Sequence, residues 1–268
     1  SYGDYIVSRA ILSSMAESLE SQGKRVVSGL NGDWYVMATG ATTGLVITDG
    51  VVRATPYYST AWAIGFREDG TAFIGQPNVS ASVTFGGQER RLTGAINKGR
   101  KVLGSDGTGG LTLLTSDFAS TTQNTQAGVD VVLVPADDGT GQYSDQPRIN
   151  QKTRYVVEQV LESTGSIAIP EGKAVLTLNG SDDAALLAAL RALQPGDEVI
   201  LSVTAGEQWE QAVQALGGVD RSLSERAGAA GLDTARTASP SGGLKAGGAR
   251  DAYATAGRQR GSRRGASS

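Results

Sequence analysis

The sequence predicts an α+β fold, a mixed and largely antiparallel sheet core with a few packed helices in a single domain. Three observations predict it. Asp-Gly pairs recur between short apolar runs, only four stretches have helical spacing, and no linker interrupts residues 1–235. Asp-Gly between apolar runs is a strong hairpin signal, because the turn needs positive φ. Strand hairpins mixed with separated helices argue against alternating βαβ units.

Taken in order, Ser8 to Glu20 places Ile11, Leu12, Met15, Ala16 and Leu19 at helical spacing, and Gln22-Gly23-Lys24 ends the run. Arg25 to Leu30 reads as a buried strand. Gly44 to Ile47 and Val51-Val52 flank Asp49-Gly50, and Ala61 to Phe66 and Thr71 to Ile74 flank Asp69-Gly70. Both pairs read as hairpins, and Ser80 to Phe85 continues the meander. Further strands are expected at Leu111–Leu114, Val129–Val134, Lys173–Leu178 and Val199–Val203. Helices are expected at Lys152–Glu162, Asp183–Leu193 and Gln208–Leu216. Beyond about Gly228 Ala, Gly, Ser and Arg dominate, and from Arg236 onward seven basic residues face the single acid Asp251. By composition residues 236–268 read as a flexible basic tail.

Composition narrows the chemistry. The 268-residue chain has no cysteine and no histidine. Disulfides, thiolate nucleophiles, Ser-His-Asp triads and His-rich zinc sites are excluded. Proton transfer falls to Asp, Glu, Lys, Tyr or water, leaving carboxylate-based glycoside chemistry and oxygen-ligated metal chemistry as open classes. No cofactor is predicted, and an oxygen-ligated divalent metal stays open. No apolar run has the roughly 20 residues of a membrane span. The net charge of −3 points to no polyanionic partner. The Arg-rich end lacks the interleaved aromatics of single-strand binders, so no nucleic acid is expected.

Two local patterns are candidates for a site. Asn31-Gly32-Asp33 follows directly on an expected strand; Asp33 is an acid, base or ligand by type, and Asn31 a donor to sugar or phosphate oxygens. The bland alternative is an Asn-Gly turn between strands. Thr39 to Gly44 is a small-residue loop of the kind that forms anion nests, or else a plain connection. The Asp-Gly pairs at 49–50, 69–70, 106–107 and 138–139 are turns, and Trp34, Trp62 and Trp209 are core aromatics by default.

The run Gly23 to Tyr35, then Thr39-Gly40, Thr43 to Ile47 and Asp49-Gly50, resembles the opening of the phosphodiester glycosidase family. The likeness continues through Ala63 to Gly75, Ala95-Ile96-Asn97, Ile169 to Leu178, Leu193 to Asp197 and Ala215 to Gly218. Near the end, Arg236-Thr237-Ala238 resembles a site-lining segment, while Gly247 and Ala256 stand where the family carries Asp. The later Asn-Leu-Asp-Gly-Gly-Gly-Ser signature has no counterpart; truncation, a shifted reading frame and gene decay would each give this pattern.

The resemblance implies hydrolysis of N-acetylhexosamine 1-phosphodiesters in bacterial cell-surface or exopolysaccharide material, in an extracytoplasmic setting. It implies Asp33 and Arg236 as catalytic residues, Arg236 on the phosphate, with Asn31, Gly32, Thr43, Gly44 and Thr237 around the sugar. With the second carboxylate missing, the chain is expected to turn over poorly while keeping affinity for sugar phosphates. The rival expectation is an inactive glycan- or phosphate-binding module of the same fold.

Overall fold

The structure, a computed structural model, describes residues 5–7, 10–29, 32–33, 35–37, 39–57, 61–107, 109–136, 139–218 and 244–245. The helix-packed α+β expectation is corrected: these residues form two β-sheets with two α-helices and one 3-10 turn. Sheets supply the core here because most apolar runs alternate on a two-residue period, or are short and buried on both sides.

The smaller sheet runs in the order β15 (Leu244–Lys245), β4 (Thr71–Gly75), β3 (Ala63–Phe66), β14 (Gln214–Gly217), β1 (Val46–Thr48), β2 (Val51–Ala54), antiparallel throughout. Both expected hairpins are present within it. Asp49 and Gly50 take φ of 54° and 75° between β1 and β2, as a two-residue hairpin turn requires. Asp69 accepts the Thr71 backbone N–H at 2.8 Å and its hydroxyl at 2.7 Å, so its carboxylate caps its own turn.

The larger sheet curls into a half-barrel along β6 (Gln88–Arg91), β5 (Ser80–Phe85), β13 (Glu198–Thr204), β11 (Gln151–Ser163), β9 (Gly128–Pro135), β12 (Ala174–Asn179), β8 (Thr112–Thr115) and β7 (Ala95–Ile96). The short β10 (Tyr143–Ser144) lies beside β11; only β10–β11 and β7–β8 pair in parallel. Its middle strands are buried on both faces. Val131, Leu133, Leu176 and Leu113 join the main core, which also takes Leu45, Ile47, Phe73 and Trp209 from the region of the smaller sheet. Val132, Val175 and Leu114 point the other way, into a second cluster with Phe118 and Ile169.

Three local expectations fail, each for an identifiable reason. Residues 152–162 are strand, not helix. Inside β11, Val157 opposes Leu133 and Gln159 opposes Val132, so Glu158 is the extra residue of a β-bulge. Tyr155 and Val157 face the main core; after the bulge Val160 packs on that core and Leu161 on the second cluster. The bulge turns a spacing of two into three, which imitates a helical stripe. Residues 208–216 split into a 3-10 turn, Glu207–Trp209, and β14, where Ala215 is buried beside β3. Residues 25–29 form no strand, and Val27 is exposed, because no described strand pairs with them.

The helices at α1 (Leu12–Ser21) and α2 (Ala184–Arg191) match expectation. Asp183 caps α2 by accepting from the Leu186 N–H at 2.7 Å, and Leu187 and Leu190 bury its inner face on the core. The expected tail contributes Leu244–Lys245 to the smaller sheet, paired with Ala72 and Thr71. No helix among the described residues is long and apolar enough to cross a membrane, which leaves strands out of account.

Candidate active site

Asp33 sits where the chain crosses one end of the smaller sheet. There β14 ends in Gly217-Gly218 and Gly44 leads into β1, so three glycines let the backbones approach. A Cβ on Gly44 would lie 2.8 Å from the Gly217 Cα, and one on Gly218 would lie 2.5 Å from Asp33 Oδ1. Gly218 also needs its φ of 87°. A Cβ on the exposed Gly32 would meet the Leu216 side-chain tip, at 1.8 Å from Cδ2. The glycine noted at 44 thus acts by close approach to the backbone, and Gly217-Gly218 floors the site.

The Asp33 carboxylate gathers the next turn. It accepts the Thr42 hydroxyl and the Gly44 backbone N–H on Oδ2, and the Thr43 hydroxyl at 3.3 Å on Oδ1. Three of roughly four acceptor positions on a carboxylate are therefore filled from residues 42–44. The turn itself is closed by a bridge between Tyr35 and Thr42 and by the Val36 N–H donating to Ala41 at 2.8 Å.

Behind the turn lies a residue the sequence reading missed. Lys98 is fully buried, and its ammonium donates to the carbonyls of Thr42 and, at 3.3 Å, Gly44. The turn is polarised between them, its N–H and O–H groups toward the Asp33 carboxylate and its carbonyls toward the Lys98 ammonium. Burial lowers the Lys98 pKa from the usual lysine range to about 7, with Asp33 pulling it back up.

The neighbouring Asn97 holds Lys98 in place. Its amide donates to the Arg53 carbonyl at 2.7 Å and the Thr115 hydroxyl at 2.8 Å, and it accepts the Thr115 N–H at 2.7 Å. The Ile96 N–H donates to the Thr55 hydroxyl at 2.9 Å. These bonds tie β7 to the end of β2 and to β8. Ala95 and Asn97 take φ of 72° and 56°, a conformation that suits Asn and strains Ala, so the side chain of Lys98 is aimed by backbone geometry.

Tyr57 completes the group. Its N–H donates to the Thr43 carbonyl at 3.3 Å, and its ring lies 5.5 Å from the Lys98 ammonium and 5.1 Å from that of Lys101. Burial raises the Tyr57 pKa, which keeps the phenol neutral.

Of the residues expected at the site, the structure brings Gly32, Asp33, Thr43 and Gly44 together. Asn31, Arg236 and Thr237 lie outside the described residues, as does Trp34. Trp209 is core, edge-on to Phe73 at 4.8 Å. Among the described residues no group of three or more Asp and Glu could hold a metal ion. Lys98, Tyr57 and Lys101 carried no signal, since their partners are up to 56 residues away in sequence.

No family model matches the chain, and no curated protein matches it. A crystal structure of a hypothetical protein from Synechocystis is similar, with a TM-score of 0.57 and 16% identity. The match covers 81% of this chain and 35% of that one. The chain thus spans about a third of that protein's length, and the likeness speaks to fold alone.

Proposed function

We propose that the protein is a hydrolase of sugar 1-phosphodiesters of the N-acetylhexosamine-phosphate type, acting outside the cytoplasm on cell-surface or exopolysaccharide material. The phosphodiester glycosidase resemblance of the sequence supplies the substrate class. The observation that carries the reading is the Asp33 carboxylate, half-buried and fixed by the 42–44 turn, with the Lys98 ammonium behind that turn. In this reading Asp33 takes a proton from water as the water oxygen adds to the anomeric carbon. The C1–O bond breaks, and its electron pair leaves on the bridging oxygen of a phosphate monoester. Such a group leaves without the protonation that a sugar alcohol needs, so one carboxylate with preorganised positive charge can suffice. Lys98 is a positioning residue: it touches the turn, not the substrate.

A second reading rests on the same contacts. A carboxylate with three of its acceptor positions filled by its own loop can be an organiser of a glycan- or phosphate-binding module, with no part in chemistry. The test is sugar release from a UDP-N-acetylhexosamine. Slow turnover lost at least 100-fold in Asp33→Asn, with sugar-phosphate binding retained, is the expected result. Binding without turnover in the unaltered chain would establish the module reading instead.

A further inference from the structure

Between Asn97 and Lys101 the chain carries three cations within four residues, and the fold disposes of them differently. The Arg100 side chain is 1% exposed; it faces Asp130 and donates to the Thr177 hydroxyl and to the carbonyls of Leu178 and Gln126. Lys98 turns inward to the 42–44 turn. Lys101 remains exposed, on the ring of Tyr57. None of the ion pairs among the described residues involves Lys98 or Lys101. Among the described residues, two amines stand by this ring, the titrating Lys98 and the charged Lys101, and Asp33 is the carboxylate that acts on Lys98. When Lys98 is protonated the group carries one positive charge in excess, and an anion would offset it.

We propose that Tyr57 and Lys101, beside the 42–44 turn, form the subsite for a phosphodiester anion, with Lys98 as its buried counter-charge. The proposal deepens the hydrolase reading and rests on it for the sugar, but not for the anion. Each part has a chemical task. Lys101 is a flexible point charge that contacts a phosphate oxygen directly. The neutral Tyr57 phenol is a hydrogen-bond donor, and its ring orients Lys101. Tyr57 is fixed to Thr43 by its backbone, which places the subsite next to the Asp33 carboxylate. Lys98 lies too deep to touch the ligand and acts through its charge. Near neutral pH it is partly unprotonated, so an arriving anion draws a proton onto it. Among the described residues, the charged and titratable groups that face it are Asp33 and Tyr57, with Lys101 near the same ring.

Dimethyl phosphate is the probe, because its single charge does not change near neutral pH. Isothermal titration at pH 7.5, in two buffers of different ionisation enthalpy, reads affinity and proton uptake together. The unaltered chain is expected to bind with net proton uptake. Lys101→Gln should bind about tenfold more weakly, the loss of one charge-assisted contact, and Lys101→Arg should retain most of the affinity. Lys98→Met should lose the proton uptake, a readout that a merely structural role for Lys98 would not move. Equal affinity in Lys101→Gln, or no binding by the unaltered chain at tens of millimolar, overturns the subsite. Binding with this pattern but no sugar release overturns the hydrolase reading and leaves the subsite standing. Sugar release with a KM unchanged in Lys101→Gln does the reverse.

Discussion

Among the described residues charge is buried in two places, and the two are treated differently. In the larger sheet Asp130, on β9, has no exposed surface. It accepts from the hydroxyls of Ser163 and Thr177 and from the Asn124 amide at 3.4 Å, with the Arg100 guanidinium at 3.5 Å. Both oxygens are satisfied, the counter-ion is at hand, and every partner comes from a neighbouring strand or loop of that sheet. At the end of the smaller sheet, Lys98 is equally buried, but its direct partners are two carbonyls, and Asp33 reaches it across a turn. In the first arrangement the carboxylate is fully compensated, and only Asn124 Oδ1 beside it is buried without a partner. The second leaves an amine whose pKa falls to about 7 and whose charge responds to what arrives. A saturated buried pair locks a sheet; an under-compensated one is where perturbed pKa values and function collect.

The sharpest way to break this comparison is Asp130→Ala. It leaves Arg100 buried without its counter-charge and should cost about 3–5 kcal/mol in urea unfolding. A cost below about 1 kcal/mol would mean that the cluster is not saturated structure at all.

A paired glycine experiment gives the next largest effect. Gly218→Ala adds a Cβ at φ 87° and 2.5 Å from Asp33 Oδ1, whereas Gly70→Ala adds one at φ 80° with nothing within 4 Å. The backbone strain is similar, roughly 1 kcal/mol in each. Gly218→Ala should therefore be the more destabilising by about 1–2 kcal/mol, the cost of crowding at the Asp33 turn. Equal melting temperatures would show that the strand end is not tightly packed there.

The smallest effect, and the most diagnostic, is the pH dependence of stability. The folded-state pKa of Lys98 lies below its unfolded value, so the unfolded chain binds more protons between about pH 7 and the ordinary lysine range. Stability should rise with pH across that window and fall as pH drops toward 7, by about 1 kcal/mol per pH unit at most. With no histidine or cysteine in the chain, no other side chain has its ordinary pKa between pH 7 and 9. Lys98→Met should flatten the slope, and a slope unchanged in that variant would place the titration elsewhere. Asp130→Asn, used as a control, should leave it intact.

These contrasts also explain what could be read in advance. The hairpins at Asp49-Gly50 and Asp69-Gly70 were legible because turn chemistry is local. The α2 boundary was legible because Asp183 and the Gln194-Pro195-Gly196 stop act within a few residues. The strand at 151–163 was not, because a bulge at Glu158 is fixed by pairing with β9 and disguises the strand period. At the site, Asp33, Thr43 and Gly44 stood out as polar and small residues beside a strand. Lys98 had no such mark. A lysine after Ala95-Ile96-Asn97 becomes a buried charge only once the end of β2, β8 and the 42–44 turn close around it.

The sequence by itself determined the turn positions, most strand segments and the exclusion of thiol and imidazole chemistry, since each follows from residue type or near-neighbour spacing. Only the tertiary structure decided that two of the four expected helices give way to strand, which makes the fold mostly β, and which of the chain's cations face inward. Burial and long-range pairing set the free energy of a charge, and neither is a property of a residue or its neighbours in sequence.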